Sequence, residues 1–138
     1  MKKHKITTRL REIIKEGIKE VVASKNIENK DTIKVLNGYL EAALWTGEFD
    51  DLDIDDIHID TKIDAYNDVK FFLNKSKHLD LDIEPEQIGH DLWLTRNRHG
   101  AGFWDRGLGD VGEELTKISH EMGGKDVFIG DDNYIHIE

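Results

Sequence analysis

The sequence predicts a helix-rich α+β single domain of about five helices closed by a C-terminal β-hairpin. Three observations lead there. Apolar residues recur at helical spacing in five separate stretches. Short β-rich runs occur only at the end of the chain, on either side of a Gly-Asp-Asn-rich turn. One proline and no low-complexity linker interrupt the 138 residues, a length that suits one domain spanning 1–138.

The elements follow in order. Residues 7–24 carry a stripe of Leu10, Ile13, Ile14, Ile18, Val21 and Val22, with Thr7 or Thr8 available as a cap, so 1–30 reads as a basic N-terminal helix. Asp31 offers an N-cap to a second helix with Ile33, Leu36, Leu40, Ala43 and Leu44 on one face, ended by Gly47. Asp60 or Thr61 is expected to cap a third, with Ile63, Tyr66, Val69, Phe72 and Leu73 facing inward. Glu84-Pro85-Glu86-Gln87 is a strong start signal, because proline at the first helical position gives up no bonded N–H. That helix runs through Ile88, Leu92 and Trp93 and fails near Asn97 and Gly100. Asp110 then caps a short helix holding Val111, Leu115, Ile118 and Met122, closed by Gly123-Gly124. Val127–Ile129 and Tyr134–Ile137 flank the final turn as a hairpin. A lone hairpin is marginal in water, so this one must pack on the helices or join another strand edge.

Composition narrows the function classes. Charged residues make up 35% of the chain, and the net charge is −10. With no cysteine, disulfides, zinc–thiolate sites, iron–sulfur clusters and cysteine nucleophiles are excluded. No apolar run approaches the roughly 18 residues that suggest a membrane span, and Met1-Lys2-Lys3-His4-Lys5 lacks the apolar core of a signal peptide. A soluble, cytosolic protein is therefore expected. The charge is uneven: residues 1–25 hold eight Lys/Arg against three Glu, and the remainder 11 basic against 26 acidic groups. Such polarity suits a basic helix lying along its own acidic body, or two distinct binding faces. Direct nucleic-acid binding through Lys2, Lys3, Lys5, Arg9, Arg11, Lys15 and Lys19 is opposed by a pI near 5.1.

Motifs of known chemistry are sparse. Asp51, Asp53 and Asp55 match the first alternate ligands of a calcium loop, but Asp56 replaces its turn glycine and Lys62 its final glutamate. Leu52, Ile54 and Ile57 of this acidic stretch are expected to tuck inward. Gly107-Leu108-Gly109-Asp110-Val111-Gly112 fits the dinucleotide pattern in letters, yet no strand precedes it. His90, Asp91, His99, Asp105, His120 and Glu121 have no recognised metal-ligand spacing, and Ser24, Ser76 and Ser119 lie in no nucleophile-elbow pattern. No catalytic set, metal or cofactor is assigned.

The informative segment is His90 to Gly107, which combines three arginines, two histidines, two aspartates, two tryptophans and several glycines. Two readings stand side by side. Arg96, Asn97, Arg98, His99, Asp105 and Arg106 would form a site for a phosphate or nucleotide, guanidinium groups and backbone N–H donors holding the anion. His99 would then be the acid–base group, with Asp105 orienting it. Alternatively, Asp91 and Asp105 pair with Arg96 and Arg106 to pin the loop, with Trp93, Phe103 and Trp104 as core. In either case Asp105 is expected to accept from a nearby Arg or from loop N–H groups.

Gly38-Tyr39-Leu40-Glu41-Ala42-Ala43-Leu44-Trp45, then His90-Asp91-Leu92-Trp93-Leu94-Thr95-Arg96-Asn97 with His99-Gly100-Ala101-Gly102-Phe103-Trp104-Asp105-Arg106-Gly107, and a closing Gly130-Asp131-Asp132, resemble a family of small uncharacterised bacteriophage proteins over residues 35–138. Arg98 departs from that pattern where glycine is frequent, and Leu92 where an aromatic is common. The resemblance implies an accessory protein made in the bacterial cytoplasm and brings no catalytic residues. A non-catalytic acidic protein that engages a host or defence macromolecule is the expected function, with a small-ligand protein or enzyme using residues 96–107 as the alternative.

Overall fold

The computed structural model describes residues 27–49 and 51–138. Among them are four α-helices and one antiparallel hairpin: α1 (Ile27–Thr46), α2 (Ile59–Lys75), α3 (Pro85–Arg96), α4 (Asp110–Met122), β1 (Val127–Ile129) and β2 (Ile135–Ile137). Two single-turn 3-10 helices, Ile54–Asp56 and Phe103–Asp105, sit in the connections. The helix-rich α+β class thus holds, with four helices where about five were expected. The remaining one, the basic helix over 7–24, lies outside the described residues.

The helix starts correct three expectations. Asp31 does not cap α1, which is already under way at Ile27, because nothing from Ile27 to Lys30 breaks a helix. Nor do Asp60 or Thr61 cap α2. His58 takes that place, its Nδ1 accepting from the Asp60 N–H at 3.1 Å. The reason is tertiary: Ile57 bridges to Ile135 in parallel register and the His58 N–H donates to the Ile135 carbonyl, which holds the chain extended up to residue 58. At α4 the N-cap is Gly109, and Asp110 is the first helical residue, where its charge favours the positive helix end. Pro85 does open α3, behind Glu84.

One apolar cluster joins all these elements. Its densest seam is the crossing of α1 with α3, where glycine lets the backbones meet. A Cβ on Gly38 would overlap the Glu86 carbonyl, and one on Gly89 would overlap the Val35 carbonyl. Tyr39 and Trp93 fill the space beside the crossing edge to face, with centroids 5.3 Å apart. The Trp93 indole N–H donates to the Thr46 hydroxyl at 2.7 Å. Phe72 of α2 stacks on Phe103 at 5.5 Å, so the loop after α3 is anchored in the same core.

The hairpin pairs Val127 with Ile137 and Ile129 with Ile135. Of the two means of support expected for it, the hairpin has both: Ile135 and Ile137 are buried in the core, and Ile57 forms an isolated parallel bridge to Ile135. Its outer side stacks His136 on Phe128 and on His58, with centroids at 5.7 and 5.0 Å. Among the described residues no helix is long and apolar enough to cross a membrane.

Candidate functional site

The chain after α3 is fixed at four points. First, the helix closes in a Schellman motif, with the Arg98 N–H donating to the Thr95 carbonyl and the His99 N–H to Leu94. Second, Phe103 enters the core, its N–H donating to the Thr95 hydroxyl at 3.1 Å. Third, the Asp105 carboxylate accepts from the Gly102 N–H at 3.0 Å, tying the 3-10 turn as expected of it. Fourth, Arg106 forks onto the buried Asp91 carboxylate through Nε and Nη2, at 3.2 and 2.9 Å, while Gln87 donates to the same group.

Arg96 is engaged elsewhere. Only 3% exposed, it donates to Asp68 at 2.7 Å, to the Tyr39 hydroxyl at 2.9 Å, and to the Gly123 and Met122 carbonyls at 2.7 and 3.1 Å. Its charge therefore caps the carbonyl end of α4 while bridging α1, α2 and α3. Lys125 shares Asp68 at 3.1 Å. Burial pushes the Tyr39 hydroxyl up to about 12, against the opposing pull of Arg96. Asn97 joins the same seam, accepting from the Lys125 N–H and donating to the Trp93 carbonyl.

Two expectations for the segment, one pairing and one core residue, are corrected by this arrangement. Arg96 pairs with Asp68 of α2, which approaches only in the folded chain, and not with Asp91 or Asp105. Trp104 is not core: it is 54% exposed, because Phe103 takes the inward position of the turn. Of the six candidate residues, Arg96, Asn97, Asp105 and Arg106 bond within the fold, and Arg98 and His99 face outward. Arg98 stands near His120, whose pKa is lowered by burial and then by that arginine's charge. The glycines at 107 and 109 turn the chain into α4 with positive φ values of 71° and 60°.

An open concavity among the described residues lies elsewhere. A groove of about 480 Å³ runs between the C-terminal end of α1 and the acidic connection. Leu44, Phe49, Leu52 and Ile54 form its floor, Trp45 stands at its edge 60% exposed, and Glu41, Asp53 and Asp55 supply carboxylates. Local sequence builds it. Asp53 and Asp56 form a reciprocal capping box around the 3-10 turn, which fixes their backbone and turns Ile57 into the core. Of the three residues expected to tuck inward, Ile57 does so, while Leu52 and Ile54 stop half-buried and line the groove. Lys62 of α2 is buried within reach of the charges of these aspartates. Burial pushes its ammonium pKa down, while Asp55, Asp53 and Asp56 act in the opposite sense. Behind Trp45, the His90 ring leans at 5.8 Å, its buried Nδ1 without a hydrogen-bond partner among the described residues.

Chemically, the groove suits an apolar side chain flanked by cations: an apolar floor, an indole for cation–π contact, and carboxylates at the rim. No grouping of three or more His, Asp or Glu among the described residues is placed to hold a metal ion. The sequence signal for this groove is a tryptophan on the polar side of an amphipathic helix followed directly by apolar–acidic alternation. Compared with known proteins, the chain matches no family model, no curated protein and no solved structure.

Proposed function

We propose that this chain is a non-catalytic binding protein that engages a host or defence macromolecule in the bacterial cytoplasm, through the acidic groove beside Trp45. The segment it takes from that partner presents an apolar side chain between lysines or arginines. The observation that carries this reading is the groove itself, lined by apolar side chains and an exposed indole together with the carboxylates of Glu41, Asp53 and Asp55, on a body of net charge −10. Acidic fields of this kind steer association with basic surfaces and are weakened by salt. The resemblance to small phage proteins supplies the setting. Capture from bacterial lysate at low and physiological salt tests it: a partner held at low salt and released progressively with salt is expected. No retained partner at either salt contradicts the proposal.

A second reading is kept by one observation. Arg98 and His99 are adjacent and exposed, and among the described residues neither is held in an ion pair as Arg96 and Arg106 are. They would hold a small anion such as phosphate at the end of α3. A thermal-shift screen with phosphate and nucleotides decides it, and flat responses end it.

A further inference from the structure

We propose that the outer edge of β1 pairs with the same edge of a second copy of this chain, joining two hairpins into one antiparallel sheet about a two-fold axis at Phe128. The backbone dictates the register. Asp126 and Glu138 exchange both of their N–H···O bonds, at 2.7 and 2.9 Å, and the Gly130 N–H donates to the Tyr134 carbonyl at 2.9 Å. Antiparallel strands alternate bonded and non-bonded pairs, so Val127 and Ile129, opposite Ile137 and Ile135, turn their N–H and carbonyl groups away from β2. Among the described residues β1 pairs with β2 alone, whereas the far side of β2 is met by Ile57 and His58. The edge is short. It stops at Lys125, whose N–H is taken by the Asn97 side chain at 2.7 Å.

Side chains and charge single out a second copy as the occupant. Ile129 is 49% exposed and Phe128 is exposed as well, so this edge is apolar and carries no charge within the strand, the kind that invites strand addition. An axis at Phe128 sets Val127 of each copy opposite Ile129 of the other, and the outward N–H and carbonyl groups of both residues are then satisfied. Ile129 gains an apolar cross-strand neighbour on one face of the sheet, and the two Phe128 rings meet on the other. Lys125 falls opposite Asp131 and Asp126 opposite Gly130, so unlike charges meet and no two carboxylates do. Neighbouring registers lose this match. An axis at Asp126 sets two carboxylates face to face, and one at Gly130 sets Ile129 against Asp131. No residue of β1 lines the groove beside Trp45, so this surface is independent of the binding proposed there.

The test uses the full chain at physiological salt, where repulsion between two bodies of net charge −10 is screened within about 8 Å. In sedimentation equilibrium the wild-type mass is expected to rise with concentration from 15.9 kDa toward twice that value. Ile129→Lys, a change at an exposed position, should hold the mass at 15.9 kDa throughout, with helix content by circular dichroism unchanged. Single cysteines read the register, since the chain has none of its own. Phe128→Cys should form a disulfide-linked dimer on mild oxidation, because directly opposed non-bonded residues lie about 4.5 Å apart at Cα, within disulfide reach. Asp131→Cys, far from the axis, should not. A wild-type mass of one chain at every concentration overturns the inference, as does a dimer that persists in Ile129→Lys. Cross-linking at Asp131 as readily as at Phe128, or at neither, also overturns it.

Discussion

Arg98 holds φ 57° at the position just past the end of α3, where a Cβ crowds the neighbouring carbonyl and glycine is the usual occupant. Its side chain is exposed, so little packing is lost on removing it. Arg98→Gly is expected to raise unfolding free energy by up to about 1 kcal/mol, and Arg98→Val to lower it. Urea denaturation of the three proteins checks both signs. Arg106 has the opposite character: it covers a carboxylate that is 1% exposed. Arg106→Ala strands that charge and should cost roughly 3 kcal/mol, the low end for a broken buried pair, since Arg106 itself is partly solvated. Arg106→Lys should recover only part of it, because an ammonium cannot fork onto both oxygens. Asp105→Ala removes a turn cap and should cost about 1 kcal/mol.

The α1–α3 crossing reverses an ordinary rule of helices. Gly→Ala inside a helix normally stabilises by roughly 0.5–1 kcal/mol. At Gly38 or Gly89 the added methyl meets the backbone of the facing helix, so the change should instead destabilise by about 1–3 kcal/mol. Thermal unfolding of the two variants shows the sign. The hairpin and the end of α4 make the fold sensitive to acid. Asp132 is held below the usual carboxylate range, first by its hydrogen bond to His136 and then by the Tyr134 N–H. A depressed folded pKa stabilises fully above about pH 4 and is lost as pH falls through the folded value. His120 is also depressed, so its contribution is complete above about pH 6.5 and declines as pH falls. Stability should therefore fall in two stages on acidification. Asp132→Asn is expected to remove the lower stage and His120→Gln the upper, as read from denaturation midpoints across pH. Some of this was legible in the sequence. Pro85 announces the start of α3, because its constraint is local. The His58 cap was hidden, because it depends on a bridge to Ile135, far along the chain.

For the molecule as a whole, the sequence drew attention to residues 90–107, and the structure accounts for that concentration of groups. Buried Asp91 and Arg96 each require partners, and the loop supplies Arg106 while α2 supplies Asp68. Which carboxylate serves which guanidinium was not legible, because the partner of Arg96 comes from another helix. The groove was harder to foresee for a related reason. Trp45 and Leu52 belong to different local patterns, and only the packing of the capped 3-10 turn against α1 makes them one surface. The proposed binding surface is this groove and not the arginine-rich loop. Two charge-reversed proteins compared against the partner captured from lysate, at low salt, test it most directly. Glu41→Lys with Asp55→Lys should weaken binding at least about tenfold, since each reversal sets like charges face to face. Arg98→Glu with His99→Glu should leave it unchanged. The reverse pattern, with loss on the loop variant and retention on the groove variant, would contradict the assignment.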